Sequence, residues 1–197
     1  MNEPQYFLIY KPFGMLSQFT KEGHHPTLAD LRFKFPKDAY PVGRLDTDSE
    51  GLILLTNDKS INHKLLDPKF KHKRTYLAQV EGIFSDEAKT KIEKGVVISV
   101  DGNEYKTLPA KAELVPEPDN LPARNPPIRF RKNIPTSWVK ISLHEGKNRQ
   151  VRKMTAGVGF PTLRLIRTAI EGITLAQMKP GEVVELDKEG IFPLLNF

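Results

Sequence analysis

Hydrophobic residues in this chain fall mainly into short runs and alternating stretches, which are typical of β-strands. The run Tyr6–Tyr10 predicts a buried strand that ends before Pro12. Thr75–Glu81 and Trp138–His144 alternate apolar and polar side chains, and therefore predict half-buried strands. Further strands are predicted at Leu52–Leu55, Val96–Val100, Lys111–Val115, Pro161–Ala169 and Glu182–Leu186.

Helices are predicted at fewer places. Ser85–Gly95 has a serine at its N-cap and a glycine at its end, although Ala88 stands where a capping box needs Glu or Gln. Shorter helical segments are predicted at Thr27–Leu31, Ile61–Leu66 and Asn148–Val158. Because strands and helices interleave, the predicted fold class is α+β around a mixed, mostly antiparallel sheet with flanking helices. We expect residues 1–197 to form a single domain of two lobes.

The composition, with 39% hydrophobic and 27% charged residues, is that of an ordinary soluble protein. No apolar run approaches the roughly 20 residues of a membrane span, and the N-terminus does not resemble a signal peptide. The absence of cysteine excludes disulfides and thiolate zinc sites, and none of the five histidines stands at metal-ligand spacing from another. We therefore expect a cytoplasmic monomer that binds neither a metal nor a membrane.

Positive charge is concentrated in one part of the chain. The segment from Arg124 to Arg167 holds eleven of the 30 Lys and Arg residues but only one of the 24 acidic residues, Glu145. A smaller basic cluster runs from Lys69 to Arg74. Such concentration is typical of a surface that binds a polyanion, most often nucleic acid, although a solvated basic surface would have the same pattern.

A long proline-rich segment interrupts the regular elements. Pro116–Pro135 contains six of the sixteen prolines and no clear periodicity, so we expect a loop. Loops of this length within a compact domain are often functional.

The segment Gly43–Asn57 has the most informative pattern of charged and apolar residues. Acidic side chains at Asp46, Asp48 and Glu50 come just before the aliphatic run Leu52–Leu55, so we place them on a loop that leads into a buried strand. An EF-hand calcium loop would need a bidentate Glu where Asn57 stands, and a phosphotransferase Asp-x-Asp site usually follows its strand. We therefore expect Asp48 and Glu50 only to shape a turn.

Four ordered blocks of the sequence resemble motifs of one enzyme family. GRLDTDSEGLILLTND, from Gly43, resembles the catalytic motif of the RsuA-type ribosomal RNA pseudouridine synthases. YKPFG from Tyr10, RTYLAQVEG from Arg74 and EGKNRQVRKM from Glu145 are similar to three other motifs of that family. RNPPIRFRKNIPTSW and GFPTLRLIR resemble most its RluE-like branch, which modifies large-subunit ribosomal RNA. Many relatives carry an N-terminal S4-type RNA-binding module, which we expect this chain to lack.

The resemblance implies a function and a set of catalytic residues. The expected fold is that of the pseudouridine synthases, with a central active-site cleft, and the expected reaction isomerises one uridine of 23S ribosomal RNA without a cofactor. Asp46 matches the catalytic aspartate, which either attacks C1′ or abstracts the C2′ proton of a flipped-out uridine. Arg152 matches the arginine that keeps this carboxylate charged, and Tyr76 the tyrosine that stacks on uracil and takes the C5 proton. Lys11 is expected to support the pocket.

The resemblance and the basic segments together imply which residues contact RNA. Arg44 resembles the arginine that holds the space left by the flipped base. The other expected RNA-binding residues are Lys73, Arg74, Arg129, Arg131, Lys132, Lys147, Asn148, Arg149, Lys153, Arg164 and Arg167. The expected partner is 23S ribosomal RNA, either naked or in an assembling large-subunit particle.

Two other readings of the sequence remain open. A non-catalytic RNA-binding or ribosome-assembly protein would use the same basic surface, but would not depend on Asp46. A base-excising glycosylase would share the extruded base and the carboxylate, but would release free uracil.

Overall fold

The computed structural model describes residues 3–128 and 134–195. The strands are β1 (Tyr6–Lys11), β2 (Tyr40–Pro41), β3 (Glu50–Thr56), β4 (Arg74–Glu81), β5 (Val97–Val100), β6 (Asn103–Lys106), β7 (Lys111–Val115), β8 (Thr136–Leu143), β9 (Thr162–Ile170), β10 (Ile173–Thr174) and β11 (Val183–Leu186). The helices are α1 (Lys59–Leu66), α2 (Asp86–Lys94), α3 (Gln150–Gly157) and α4 (Lys188–Leu195), with 3₁₀ turns at Leu28–Asp30 and Pro68–Phe70. None of the helices within the described ranges is long and apolar enough to cross a membrane.

The chain forms two compact units. The first takes the residues up to His72 and those from Arg167 onward, and the second takes Lys73–Ile166. Strand β9 crosses the division, so each unit contains one part of it. The prediction of a single catalytic domain without an S4-type module stays a prediction.

The first unit is built around β1 and β3, which pair antiparallel and are buried over their whole length. The other edge of β1 pairs with β11, so β1 lies inside the sheet. Phe7 on one face packs edge-on against Phe33 and Phe35, with ring centroids 5.4 and 5.6 Å apart. On the other face Tyr6 contacts Phe192 of α4 at 6.1 Å. Coverage on both faces explains why this strand is an unbroken apolar run.

The second unit has its strands in the order β9-β4-β8-β7, with a separate β5-β6 hairpin. Strands β4, β8 and β7 are antiparallel neighbours, so side chains directly opposite each other share a face. Ala78, Val80, Val139 and Ile141 are fully buried on one such face, in a core that includes residues of α2 and α3.

The described part of the proline-rich segment contains no helix or strand, and arginines hold it in place. Arg164 Nη2 on β9 donates to the carbonyl of Pro122 at 2.8 Å. Arg124 donates Nε to Pro126 O at 2.8 Å and Nη2 to Pro127 O at 3.1 Å. The described part of the loop is thus bonded to β9 and within itself.

Most predicted elements are confirmed, with ends within two residues of those expected. The partial cap of α2 is also confirmed: Ser85 Oγ accepts from Ala88 N–H at 3.2 Å. The third helix begins later than expected, because Arg149 has a left-handed backbone with φ 52°. The sequence prediction missed β2, β6, β10, α4 and the turn Pro68–Phe70.

Candidate active site

Asp46 lies on the loop that joins β2 to β3 in the first unit. The loop opens where Val42 N–H donates to Leu54 O at 2.7 Å, and it closes where Ser49 N–H donates to Asp46 O at 3.0 Å. Leu45 is buried beside it, while the Asp46 side chain is half-buried. The prediction of a charged loop leading into a buried strand is therefore confirmed for Asp46.

Residues 14–17 fix the Asp46 loop from the outside. Ser17 Oγ donates to Leu45 O at 2.8 Å and accepts from Leu45 N–H at 3.0 Å, so one hydroxyl holds both polar groups of that residue. Gly14 N–H donates to Thr47 O at 2.8 Å. Backbone on both sides of Asp46 is therefore anchored, which is how a carboxylate can be held in one orientation.

Lys11, at the end of β1, is fully buried and lies within electrostatic reach of the acidic loop. Its ammonium donates to Met15 O at 2.7 Å and Pro12 O at 3.0 Å. Burial lowers the pKa of Lys11 to about 8, while the carboxylates of Glu50, Asp46 and Asp48 act to raise it. The buried ammonium thus holds the loop that contacts Leu45 and Thr47, and places a positive charge near Asp46.

This pKa predicts how stability depends on pH. Folding lowers the pKa of Lys11 from 10.5 to about 8, so between these values the unfolded chain binds more protons and the stability contributed by this group rises with pH. We expect the free energy of unfolding of wild type, relative to Lys11→Met, to increase by about 2 kcal/mol from pH 8 to pH 10. Urea titrations at each pH measure the difference, and a flat difference would contradict the lowered pKa.

The two other acids of the motif have different environments. Asp48 lies on the turn as expected. Glu50 does not: it is the first residue of β3 and is buried, and its carboxylate exerts the largest charge effect on Lys11. The expectation that Glu50 only shapes a turn is therefore wrong. The error arose because Glu50 stands next to Gly51, which is typical of a turn. The cation that it faces, Lys11, is distant in sequence.

Gly51 lets the backbone of β3 approach that of Arg167. Its φ is +107°, and a Cβ there would lie 2.3 Å from the carbonyl oxygen of Arg167. The Arg167 side chain is buried and donates Nε to Leu52 O at 2.7 Å. Arg167 thus braces the strand that follows the Asp46 loop.

Tyr76 lies on β4 of the second unit, half-buried against the core cluster formed with α2 and α3. It shares a sheet face with Ala78 and Ile141, because Tyr76 pairs directly with Ile141 across β8. Neighbours on that face are fully buried, so the backbone beneath Tyr76 is fixed while Tyr76 itself remains partly accessible.

Arg152 lies in the first turns of α3, also in the second unit. Its Nη1 donates to Thr162 O at 3.2 Å, and the hydroxyls of Thr155 and Thr162 are 2.7 Å apart. The predicted catalytic residues are therefore divided between the units, with Asp46 in the first and Tyr76 and Arg152 in the second.

Glu145, which the sequence left without a role, organises the start of α3. Its buried carboxylate accepts from Tyr105 O–H at 2.7 Å, Leu108 N–H at 2.8 Å and Gln150 Nε2 at 2.5 Å. Gln150 Oε1 in turn accepts from Lys147 N–H at 2.9 Å. The sequence did contain a signal for this role, because Glu145 is the one acidic residue in the basic segment from Arg124 to Arg167.

Loss of this carboxylate is expected to destabilise the second unit. Glu145→Gln replaces one carboxylate oxygen by an amide NH2, which turns a donor towards buried donors and should lower the free energy of unfolding by about 2 kcal/mol. Tyr105→Phe removes only one partner and should cost about 1 kcal/mol. Urea denaturation followed by circular dichroism compares them, and equal losses would mean that the carboxylate does not organise the three donors.

The residues expected to bind RNA differ in exposure. Arg44, Lys73, Lys147, Asn148 and Arg149 are exposed, while Arg74 and Lys153 are half-buried. Arg164 and Arg167 are buried and bonded to backbone carbonyls, so we leave them out of the RNA surface proposed below. Arg129, Arg131 and Lys132 lie outside the described residues.

The chemical group that the loop presents is the carboxylate of Asp46. Across residues 3–128 and 134–195, no group of three or more potential His, Asp or Glu ligands lies close enough to hold a metal ion. A carboxylate held by its backbone near a buried ammonium can act as a nucleophile or a base.

Known proteins share both sequence and fold with this chain. The sequence profile of the family RNA pseudouridylate synthase matches residues 5–157. The ribosomal large subunit pseudouridine synthase E of Vibrio parahaemolyticus is 49% identical over 180 residues, covering 91% of this chain and 72% of that protein. The protein of the same name from Xanthomonas axonopodis pv. citri is 43% identical over 173 residues, covering 88% and 89%.

A solved structure described as a pseudouridylate synthase superimposes with a TM-score of 0.79 at 26% identity, covering 99% of this chain and 75% of that one. The α+β pseudouridine synthase fold expected from the sequence is thus confirmed, as is the resemblance to the large-subunit branch. From the matched profile, the relatives and the fold together, this chain belongs to the RNA pseudouridylate synthase family.

Proposed function

We propose that this protein isomerises one uridine of large-subunit ribosomal RNA to pseudouridine, with Asp46 as the catalytic carboxylate. The observation that carries the proposal is a backbone-anchored Asp46 beside the buried Lys11, in a chain similar to enzymes named for the large ribosomal subunit. The relatives named above are bacterial, and bacterial ribosomal RNA lies in the cytoplasm, where we propose that the protein acts as a monomer.

The reaction breaks the bond from C1′ to N1, turns the uracil and forms a bond from C1′ to C5. C5 loses its proton and N1 gains one, so atoms and charge balance without an oxidant, a reductant or a phosphate donor. Since C1′ is inaccessible in a stacked helix, the target nucleotide must be turned out of its stack, which costs a few kcal/mol.

Asp46 begins the reaction, either by attack on C1′ or by removal of the C2′ proton. The anchors at Leu45 and Thr47 support this role, because a nucleophile must be held in its attacking geometry. Lys11 supports it electrostatically, because its buried ammonium places a positive charge close to the Asp46 carboxylate.

Tyr76 stacks on the detached uracil and takes the proton from C5 while it gives up its own phenol proton, so that it stays neutral and the released proton balances the one that N1 gains. The position of this half-buried residue on a fixed strand supports the stacking role. Arg152 supplies positive charge to the carboxylate. Its position is supported by the bond from Nη1 to Thr162 O, which ties the guanidinium to the first residue of β9.

Polar and basic side chains bind the surrounding RNA. Arg44, two residues before Asp46, holds the space left by the flipped base. The further contacts that we propose are Lys73, Arg74, Lys147, Asn148, Arg149 and Lys153, with Arg129, Arg131 and Lys132 of the proline-rich segment. Phosphate contacts of this kind should make RNA affinity fall steeply with salt concentration.

Pseudouridine mapping tests the proposal most directly. Ribosomal RNA from cells with and without this gene is compared at nucleotide resolution, and the deletion strain is complemented with wild type or Asp46→Asn. One large-subunit pseudouridine should disappear on deletion and return only with wild type. Unchanged large-subunit sites, or a loss confined to small-subunit RNA, would refute the proposal.

A further inference from the structure

An aromatic side chain is exposed at the end of α1, in the first unit. Phe70 closes the 3₁₀ turn Pro68–Phe70 and is 42% exposed, although it is large and apolar. We call residues 67–72 the Phe70 turn. An aromatic residue left in water at this point requires an explanation, because the hydrophobic effect favours its burial.

The turn is fixed in position by Asp67. Its carboxylate accepts from Lys69 N–H at 3.0 Å and forms an ion pair with Lys69 Nζ at 3.3 Å. Its carbonyl accepts from Phe70 N–H at 3.2 Å. These bonds determine where the Phe70 ring projects.

Two imidazoles hold the ring from its sides. His63 meets it at 6.2 Å and 77° between planes, and His72 at 6.1 Å and 30°. His72 is itself buried, with Nδ1 3.0 Å from the carboxylate of Glu171. Phe70 is therefore supported by neighbours that are bonded elsewhere, and keeps an exposed part.

The surroundings of the ring are basic. Lys69 Nζ lies 4.8 Å from the ring centroid, and its side chain is largely exposed. Residues 63–72 also contain His63, Lys64, Lys71 and His72, against Asp67 in the same stretch and Glu171, which is bonded to His72. An apolar ring with a cationic border is complementary to a base attached to phosphates, which presents a π-face and negative charge together.

We propose that Phe70 is a stacking platform for an unpaired base of the RNA substrate, with Lys69 and Lys71 directed to the flanking phosphates. This site rests on the proposed function for its ligand class and lies outside the residues assigned to catalysis. The stacked base takes the place of the Lys69 ammonium over the ring, and the ammonium moves to a phosphate. Stacking is tolerant of sequence, so the platform contributes affinity rather than choice of uridine.

Fluorescence can report stacking directly. The chain has one tryptophan, Trp138, which is buried and whose Nε1 has no hydrogen-bond partner within the described ranges, so Trp138→Phe removes the background signal. Phe70→Trp is then added and titrated with single-stranded fragments of large-subunit ribosomal RNA, or with heparin. We expect quenching by RNA but not by heparin, which carries charge without bases. RNA binding without quenching, or equal quenching by heparin, would overturn the platform.

Affinity gives a second measurement. Phe70→Ala should raise the Kd for the same RNA fragments about 5- to 150-fold, while Phe70→Tyr should retain affinity. Ile83→Ala is the matched control, because Ile83 is 76% exposed without an aromatic ring, and its Kd should not change. An equal loss in both alanine variants, or none in Phe70→Ala, would count against stacking. If the wild-type protein bound an apolar surface of another protein through the Phe70 turn, and did not bind RNA there, the stacking platform would also be overturned.

Base stacking on Phe70 and uridine isomerisation can be tested separately. Quenching of Phe70→Trp by RNA, in a protein whose gene deletion leaves every pseudouridine in place, would support the platform and refute the isomerase. A missing large-subunit pseudouridine together with no quenching would support the isomerase and refute the platform.

Discussion

Asp46→Asn should reduce pseudouridine formation by about 10⁴-fold or more, and the variant should still bind RNA. The amide has the shape of the carboxylate but neither its charge nor its basicity, and the anchors of the loop through Ser17 and Gly14 do not involve the side chain. Tritium release from RNA labelled at uridine C5 measures the loss, and filter binding measures RNA affinity.

Asp48→Asn is the matched control. Asp48 lies on the same turn and is also half-buried, but carries no step of the proposed reaction. The Asp48→Asn variant should therefore still form pseudouridine. If both variants release tritium at the wild-type rate, Asp46 is not the catalytic group, and a non-catalytic RNA-binding role becomes the better explanation. Free uracil among the wild-type products would instead indicate a glycosylase.

Gly51→Ala should destabilise the first unit by about 4 kcal/mol or more, which is a large part of the stability of an ordinary domain. The added Cβ would lie 2.3 Å from Arg167 O and 2.7 Å from Arg167 N. Backbone atoms cannot rotate away, and Arg167 is tied to the next residue of β3 through Leu52 O. Thermal and urea denaturation measure the effect.

Gly14→Ala is the control that separates the clash with Arg167 from the strain of a left-handed backbone. Gly14 also has a positive φ, +81°, but a Cβ there would meet no atom within 4 Å. Its cost should be limited to the left-handed backbone, about 1 kcal/mol. Equal destabilisation by the two substitutions would show that the approach of Arg167 to Gly51 does not matter.

The parts of the fold that could be predicted are those in which local pattern and burial agree. Strand β1 is a continuous apolar run because both of its faces are covered, and α2 carries its own capping serine. Strand β6 was missed because its residues, NEYK, are mostly exposed and pair only with β5. The dipeptide Asp101–Gly102, with φ of 50° and 84°, was the hairpin signal that could have found it.

Helix α4 was missed for another reason. It is short and contains Gly190 and Pro193, both of which argue against a helix in any local scheme. Its residues Ile191 and Leu195 are buried and its Phe192 meets the ring of Tyr6, so tertiary contacts override the local preference. Helix propensity depends on local sequence and therefore does not include these tertiary contacts.

The candidate site was predictable only in part. Asp46 could be singled out by resemblance and by its place before a buried strand. The electrostatic setting could not, because Lys11 and the acids it faces are about 40 residues apart in sequence and meet only when β1 pairs with β3. Glu145 was similarly hidden, since its partners Tyr105 and Leu108 come from a different hairpin and loop.

The division of the chain has a consequence for how the protein is made. The second unit is one continuous stretch, complete once residue 166 has left the ribosome, whereas the first needs residues from both ends of the chain. Strand β1 is synthesised first but must wait for β11, near the C-terminus, to pair its outer edge. Until β11 has been synthesised, that edge remains open to wrong partners. We therefore expect the nascent chain to mature from its middle outward, with its N-terminal segment the last to become resistant to proteases.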